Sequence, residues 1–324
     1  MAARLVVATI AILVGATGCS RKHEAANEPS SEAGSDAAAR PTLALPSGFQ
    51  PEGITKGPGT TAYVGTVTRG GIVQIDLATG ASHFVVPPPP VGERVIIGVT
   101  YDADHQKIIA CGGWNANGFV FDAATGEKLA TIQFPAGSMI NDVRVMAGVA
   151  FFTDSRRQVF YRVAMTPTML PAGTAQEIAL VGDFASIPGL YELNSNGIAI
   201  LPGGESLLIV NSSTGGLFNV AATTGVARKL DVSVPNGDGL ILDGDRLIVI
   251  QNYPQSRVSI VRLDATFLHG TVERTLESPY FASPSTGIQV DGKLWIVNSR
   301  LADIFHGATD PTDKFELVSV DVGP

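Results

Sequence analysis

Cysteine is nearly missing from this chain, whose 324 residues include two, Cys19 and Cys111. Cys19 lies in a distinctive N-terminal context, so no structural disulfide is expected. Basic charge is scarce as well: 22 Lys and Arg stand against 30 Asp and Glu, a formal net charge of −8. No basic block follows the first residues of the mature chain, which disfavours nucleic-acid binding by phosphate neutralisation. The five histidines are scattered without ligand spacing. No Gly-rich phosphate loop opens a helix, and no nucleophile-elbow phrase is present. What the chain does have is 36 Gly, 20 Pro and 45% hydrophobic residues. That composition supports a large core and argues against a mainly helical fold.

The one long apolar run, "LVVATIAILVGA" (residues 5–16), follows Arg4 and is short for a membrane span. Together with "ATGC" (16–19) it resembles a bacterial lipoprotein signal, with ordinary secretion as the alternative. The resemblance implies cleavage after residue 18, lipid on Cys19, and an extracytoplasmic, membrane-anchored protein, periplasmic or at the cell surface. Residues 19–41 are small, polar and aperiodic, and read as a flexible tether.

From residue 52 a phrase recurs: a head residue, usually Gly, an apolar strand, a short turn, and a second apolar strand. Its starts are Glu52, Ile97, Asn141, Asn196, Asp238 and Thr286, spaced by 45, 44, 55, 42 and 48 residues. A third strand with a turn such as "DLATG" follows in most copies, then a more polar fourth. Six such units predict an all-β fold over 42–324, a six-bladed β-propeller of four-stranded blades, rather than a two-sheet sandwich. The last copy ends at its third strand, "FELVSVDVGP", so "TLALPS" (42–47) is expected to supply its fourth and close the ring.

Inner strands of a propeller line its channel, so equivalent head residues meet near the axis. Glu52, Asn141, Asn196 and Asp238 would bring two carboxylates and two amides together, with no Lys, Arg or His at the same level. Polar channel residues solvated by water are one reading. A divalent cation is the other, because uncompensated buried carboxylates are costly. The all-oxygen set suits Ca²⁺ better than Mg²⁺ or Zn²⁺.

The phrases "PEGI", "NDVRV…FFTDS", "NGIAILPGGESLLIVNSS" and "GDGLILDGDRLIVIQN" resemble, in order, the regucalcin/gluconolactonase/luciferin-regenerating-enzyme family of six-bladed propellers, across about residues 45–322. The resemblance implies Glu52, Asn196 and Asp238 as metal ligands and Asn141 as a contact to metal or substrate. It implies Asp238 as base or nucleophile in hydrolysis of lactones or organophosphate esters. Met139 stands where the family's sugar-lactonases carry Arg, which turns the expectation from aldonolactones to a less polar lactone or ester. The rival reading is a non-catalytic binding propeller with a structural calcium ion.

Further candidates are weaker. Trp114 is either a wall for substrate or a loop-packing residue. Thr66, Asp154, Asn211, Asn252 and Asn298, at the ends of second strands, are either contacts to the site or turn caps. His306 lies in a long insertion, 299–314, of the kind that shapes a site.

Overall fold

A computed structural model describes residues 41–189, 192–301 and 314–323. The chain divides into two units, Met1–Arg40 and Pro41–Pro324, and the fold described is that of the second. Cys19, the signal segment, the tether before Pro41, and His306 lie outside the described residues.

Strand β1 (Thr42–Ala44) comes first. Blade 1 follows as β2 (Pro51–Lys56), β3 (Thr61–Thr66), β4 (Ile72–Asp76) and β5 (Ser82–Val86). Blade 2 is β6 (Val99–Asp102), β7 (Lys107–Cys111), β8 (Asn117–Asp122) and β9 (Lys128–Gln133). Blade 3 is β10 (Ile140–Met146), β11 (Val149–Asp154), β12 (Val159–Ala164) and β13 (Gln176–Ala179). The short β14 (Val181–Gly182) precedes blade 4, which is β15 (Ser195–Ile200), β16 (Ser206–Asn211), β17 (Gly216–Ala221) and β18 (Val226–Ser233). Blade 5 is β19 (Gly237–Asp243), β20 (Arg246–Gln251), β21 (Arg257–Leu263) and β22 (Gly270–Leu276). Blade 6 is β23 (Pro284–Val290), β24 (Lys293–Asn298) and β25 (Glu316–Asp321), completed by β1. Each blade is an antiparallel meander, and the six form the expected β-propeller.

Closure follows the expected route: β1 pairs antiparallel with β25, Thr42 opposite Val318 and Ala44 opposite Glu316. The longest spacing in the repeat, between Asn141 and Asn196, contains an unanticipated feature. There β14 adds to the outer edge of β18 in parallel, giving blade 4 a fifth strand. The edge of a four-stranded blade is thereby covered.

The apolar core is distributed between blades. Ile109, Val120, Val143 and Phe152 pack together where blades 2 and 3 meet, and Phe151, Phe160, Ile198 and Ile209 do so where blades 3 and 4 meet. Similar clusters occupy the other four blade junctions. Adjacent residues Phe151 and Phe152 thus point to opposite neighbours, as strand geometry requires. Second strands are buried on both faces, which is why they read as unbroken apolar runs.

Candidate functional site: the channel mouth

The inner strands begin at one end of the channel, its mouth, and five of the six begin with a β-bulge. Register shifts lie between Pro51 and Ile54, Ile140 and Val143, Ser195 and Ile198, Gly237 and Leu240, and Pro284 and Gly287. The bulge places the head residue and its successor where a regular strand would hold one residue, and re-aims the head side chain. It also corrects one alignment. The pairing of Pro284 with Asn298 matches that of Pro51 with Thr66, so the head of blade 6 is Ser285, and Thr286 occupies the glycine position.

That glycine position is set by the next blade. A Cβ on Gly197 would lie 2.0 Å from the Asp238 carbonyl oxygen, and one on Gly53 would lie 2.2 Å from that of Ile97. In blade 3 the position is held by Asp142, a mouth residue the repeat pattern does not reveal. Its Oδ1 accepts from the Val143 amide and the Arg144 guanidinium, both at 2.8 Å, and its Oδ2 accepts from the Ile198 amide of blade 4 at 3.3 Å.

Glu52, Asn141, Asn196 and Asp238 line one cavity, with Asp142, Thr286, Ile54, Val99 and backbone of Gly53, Gly98 and Gly239. It measures about 10 Å³, room for about one water-sized occupant. The four expected residues are therefore brought together, each at most 6% exposed.

The two amides are oriented by hydroxyls one residue beyond the second strands. Ser155 Oγ donates to the Ser195 carbonyl at 2.7 Å, so it accepts from Asn141 Nδ2 at 2.8 Å. Ser212 Oγ likewise donates to the Gly237 carbonyl and accepts from Asn196 Nδ2 at 3.0 Å. A hydroxyl has one proton to give, so each serine identifies its neighbour's amide nitrogen and leaves Oδ1 outside that bond, available to accept or to coordinate. In blade 5, Asn252 Nδ2 donates to Asp238 Oδ2 at 2.9 Å. The register makes Gln251, not Asn252, the equivalent of Thr66 and Asp154, and this one-residue difference puts Asn252 on the site. Asp154, Asn211 and Asn298 serve as caps: Asp154 Oδ1 accepts from the amides of Met139, Arg156 and Arg157, Asn211 from Thr214, and Asn298 from Ala282. Thr66 likewise caps, donating to the Phe49 carbonyl and accepting from the Arg69 amide.

The electrostatics are those of desolvated, like-charged carboxyls. Burial, then the charges of Asp238 and Asp142, pushes Glu52 well above the usual carboxylate range. Burial pushes Asp238 up to about 7, with Asn252 and Asn196 opposing by hydrogen bonding and Asp142 adding to the rise. The expected absence of basic side chains at this level does not hold: Arg144 pairs with Asp142 at 2.8 Å. Glu52 and Asp238 have no ion-pair partner among the described residues. Nor, among those residues, are three His, Cys, Asp or Glu side chains grouped to hold a metal. Any cation here would need the amide oxygens of Asn141 and Asn196 beside the two carboxylates. That all-oxygen set around an ion-sized space fits a hard divalent ion.

Met139 and Trp114 do not line the cavity. Met139 packs on Val67, Val95 and Ile97, an apolar patch joining blades 1 to 3 at the mouth. Trp114 follows Gly113, which bridges to Ile140 at the start of blade 3, and its ring is 49% exposed at that end. A larger groove of about 500 Å³ lies at the outer rim, lined by β18 and the turn before β22. Its Asp231–His269 pair, 2.8 Å apart, is open to solvent and lacks the desolvation of the mouth.

The chain is thus a six-bladed propeller with an acidic, amide-flanked cavity on its axis. No protein-family profile matches it, and no curated protein sequence matches it. Its fold is shared with a calcium-binding protein, regucalcin, from Agrobacterium tumefaciens, at 18% identity over 86% of this chain and 92% of that one, TM-score 0.58. A gluconolactonase from Xanthomonas campestris is similar at 17% identity, 85% and 89% coverage and TM-score 0.54. The PQQ-bound aldose sugar dehydrogenase of Streptomyces coelicolor is similar at 14% identity, 86% and 98% coverage and TM-score 0.59. At these identities the likeness is one of fold.

Proposed function

We propose that the chain is a divalent-metal-dependent hydrolase of a lactone or ester, with the cation, most simply Ca²⁺, held by Glu52, Asn141, Asn196 and Asp238. The observation that carries this reading is the convergence of two unpaired carboxyls and two oriented amide oxygens on a single ion-sized space. When bound, such an ion polarises a carbonyl or phosphoryl oxygen and neutralises the carboxyls. Asp238, already held by Asn252, takes the proton of the attacking water, or attacks directly in a phosphoester reaction. The cavity is too small for a substrate, so on this reading the acyl group sits above it, near the part-exposed Met139 that covers Val67, Val95 and Ile97 and near the exposed Trp114. An apolar rim favours a less polar lactone or ester over a sugar acid.

The same small volume supports a second reading, a binding propeller whose cation joins the blades. Asp238→Asn separates the two. A catalytic Asp238 leaves a folded, metal-loaded variant with kcat lower by on the order of a hundredfold or more at saturating Ca²⁺. A purely structural one weakens Ca²⁺ binding, and excess Ca²⁺ restores the wild-type level. Hydrophobic γ- and δ-lactones, aryl esters and a phosphotriester form the panel; a metal-loaded wild type that turns over none of them favours the binding reading.

The export signal and lipid on Cys19 belong to the same proposal, and intact mass of the membrane-extracted protein tests them.

A further inference from the structure

Arg144 occupies an unusual place for a charged side chain. From the inner strand of blade 3 its Nη1 donates to Asp142 Oδ1 and to the Val143 carbonyl, both at 2.8 Å. Its Nη2 reaches past blade 4 to lie 3.5 Å from the Leu240 carbonyl of blade 5. The guanidinium therefore reaches from blade 3 to blade 5 just inside the mouth. Asp142, in turn, has both oxygens engaged, by Val143, Arg144 and Ile198.

Three carboxyls and one guanidinium gather here, and once a bound cation displaces the protons of Glu52 and Asp238, which have no ion-pair partner among the described residues, the balance is two negative charges. We infer that Arg144 determines the charge selectivity of the mouth: by neutralising Asp142 it holds the site at minus two and matches it to a divalent cation. The inference rests on the cation reading above and goes beyond it, because Arg144 touches no ligand and acts through charge alone. Without Arg144, the site would carry minus three and favour a trivalent ion. Without the Asp142 charge, it would carry minus one and bind every multivalent ion less well, trivalent ions most of all. Removing both charges returns it to minus two.

Calorimetric titration of the full-length protein with Ca²⁺ and, separately, Tb³⁺ reads this directly, as the ratio of the two affinities. Arg144→Gln is expected to raise the Tb³⁺-to-Ca²⁺ ratio on the order of tenfold, as one unit charge several ångströms away in a partly screened interior implies. Asp142→Asn is expected to lower it by a similar factor, and Asp142→Asn with Arg144→Gln to bring it back to within about threefold of wild type. A structural role alone would reduce both affinities together and leave the ratio flat. A flat ratio across variants that still bind Ca²⁺ overturns the inference while leaving the metal site standing. A wild type that binds neither ion overturns the metal site, and the inference with it. Should Arg144→Gln fail to fold, the fall in Asp142→Asn and its reversal in the double variant decide the matter.

Discussion

At the outer end of blade 2, Asp122 closes the hairpin between β8 and β9. Its Oδ1 accepts from the amides of Ala124 and Thr125, and its Oδ2 from Lys107 at 2.8 Å. These donors, Lys107 foremost, hold it down to about 2. On the axis, Asp238 also accepts a side-chain hydrogen bond, from Asn252, yet rises to about 7 because burial outweighs it. Both residues stand beside a turn or bulge in an apolar β protein. What differs is the supply of cationic and amide donors against the loss of water. A carboxylate at the rim stabilises its turn as an anion, whereas the pair at the mouth carries an electrostatic cost until a proton or a cation arrives.

The largest test of this contrast removes backbone clearance at each place. Gly197→Ala puts a methyl against the Asp238 carbonyl, and a loss of more than about 3 kcal/mol is expected by urea unfolding. Gly244, at a turn with φ +63 and nothing near its missing Cβ, should lose only about 1–2 kcal/mol on the same change, the cost of a left-handed backbone.

Metal removal comes next. At a hundredfold excess of Ca²⁺ over Kd the loaded protein should gain about 2.7 kcal/mol over the chelated one. Asn196→Ala should shrink that increment and Asp122→Asn should not, as measured by melting with and without chelator.

The pH dependence has opposite signs at the two places. Asp238, raised to about 7, binds its proton in the folded state where the unfolded chain has released it. The cation-free protein should therefore lose stability as pH rises from about 4 to about 7, on the order of 1–2 kcal/mol once water and side chains relax. Saturating Ca²⁺ should flatten that slope, and a slope unchanged by Ca²⁺ would argue against a cation at the mouth. Asp122, lowered to about 2, contributes stability that is present above the ordinary carboxylate range and is lost only as pH falls toward its folded value.

The smallest effect is at the rim. Lys107→Met removes a partly exposed ion pair and should cost less than about 1 kcal/mol, with the Ca²⁺ increment unchanged.

Much of this was legible in the chain. Repetition of an apolar pair of strands every 42–55 residues is enough to demand a propeller, because each blade buries its faces only against neighbours. The incomplete last copy and "TLALPS" were enough to foresee closure. The head positions Glu52, Asn141, Asn196 and Asp238 were legible for the same reason: equivalent residues of a repeat share a depth on the axis. Three features were not. Asp142 replaces the glycine of its position in blade 3, as Thr286 does in blade 6, and nothing local marks it as a mouth residue. Ser285 depends on register, as does the equivalence of Asn252, which was a candidate contact but is displaced by one when the repeat is aligned by eye. Arg144 reads from sequence as an ordinary strand residue, and only the folded ring shows that its guanidinium reaches past blade 4 to the Leu240 carbonyl of blade 5.

The sequence by itself determined the class of fold, the ring closure and which four polar head residues meet, since these follow from period, strand alternation and repeat equivalence. Tertiary structure alone decided which carboxyl is paired, which amide oxygen faces inward and how much charge the mouth keeps. Those depend on hydrogen bonds and distances between blades separated by dozens of residues, and such through-space electrostatics leave no periodic trace in a chain.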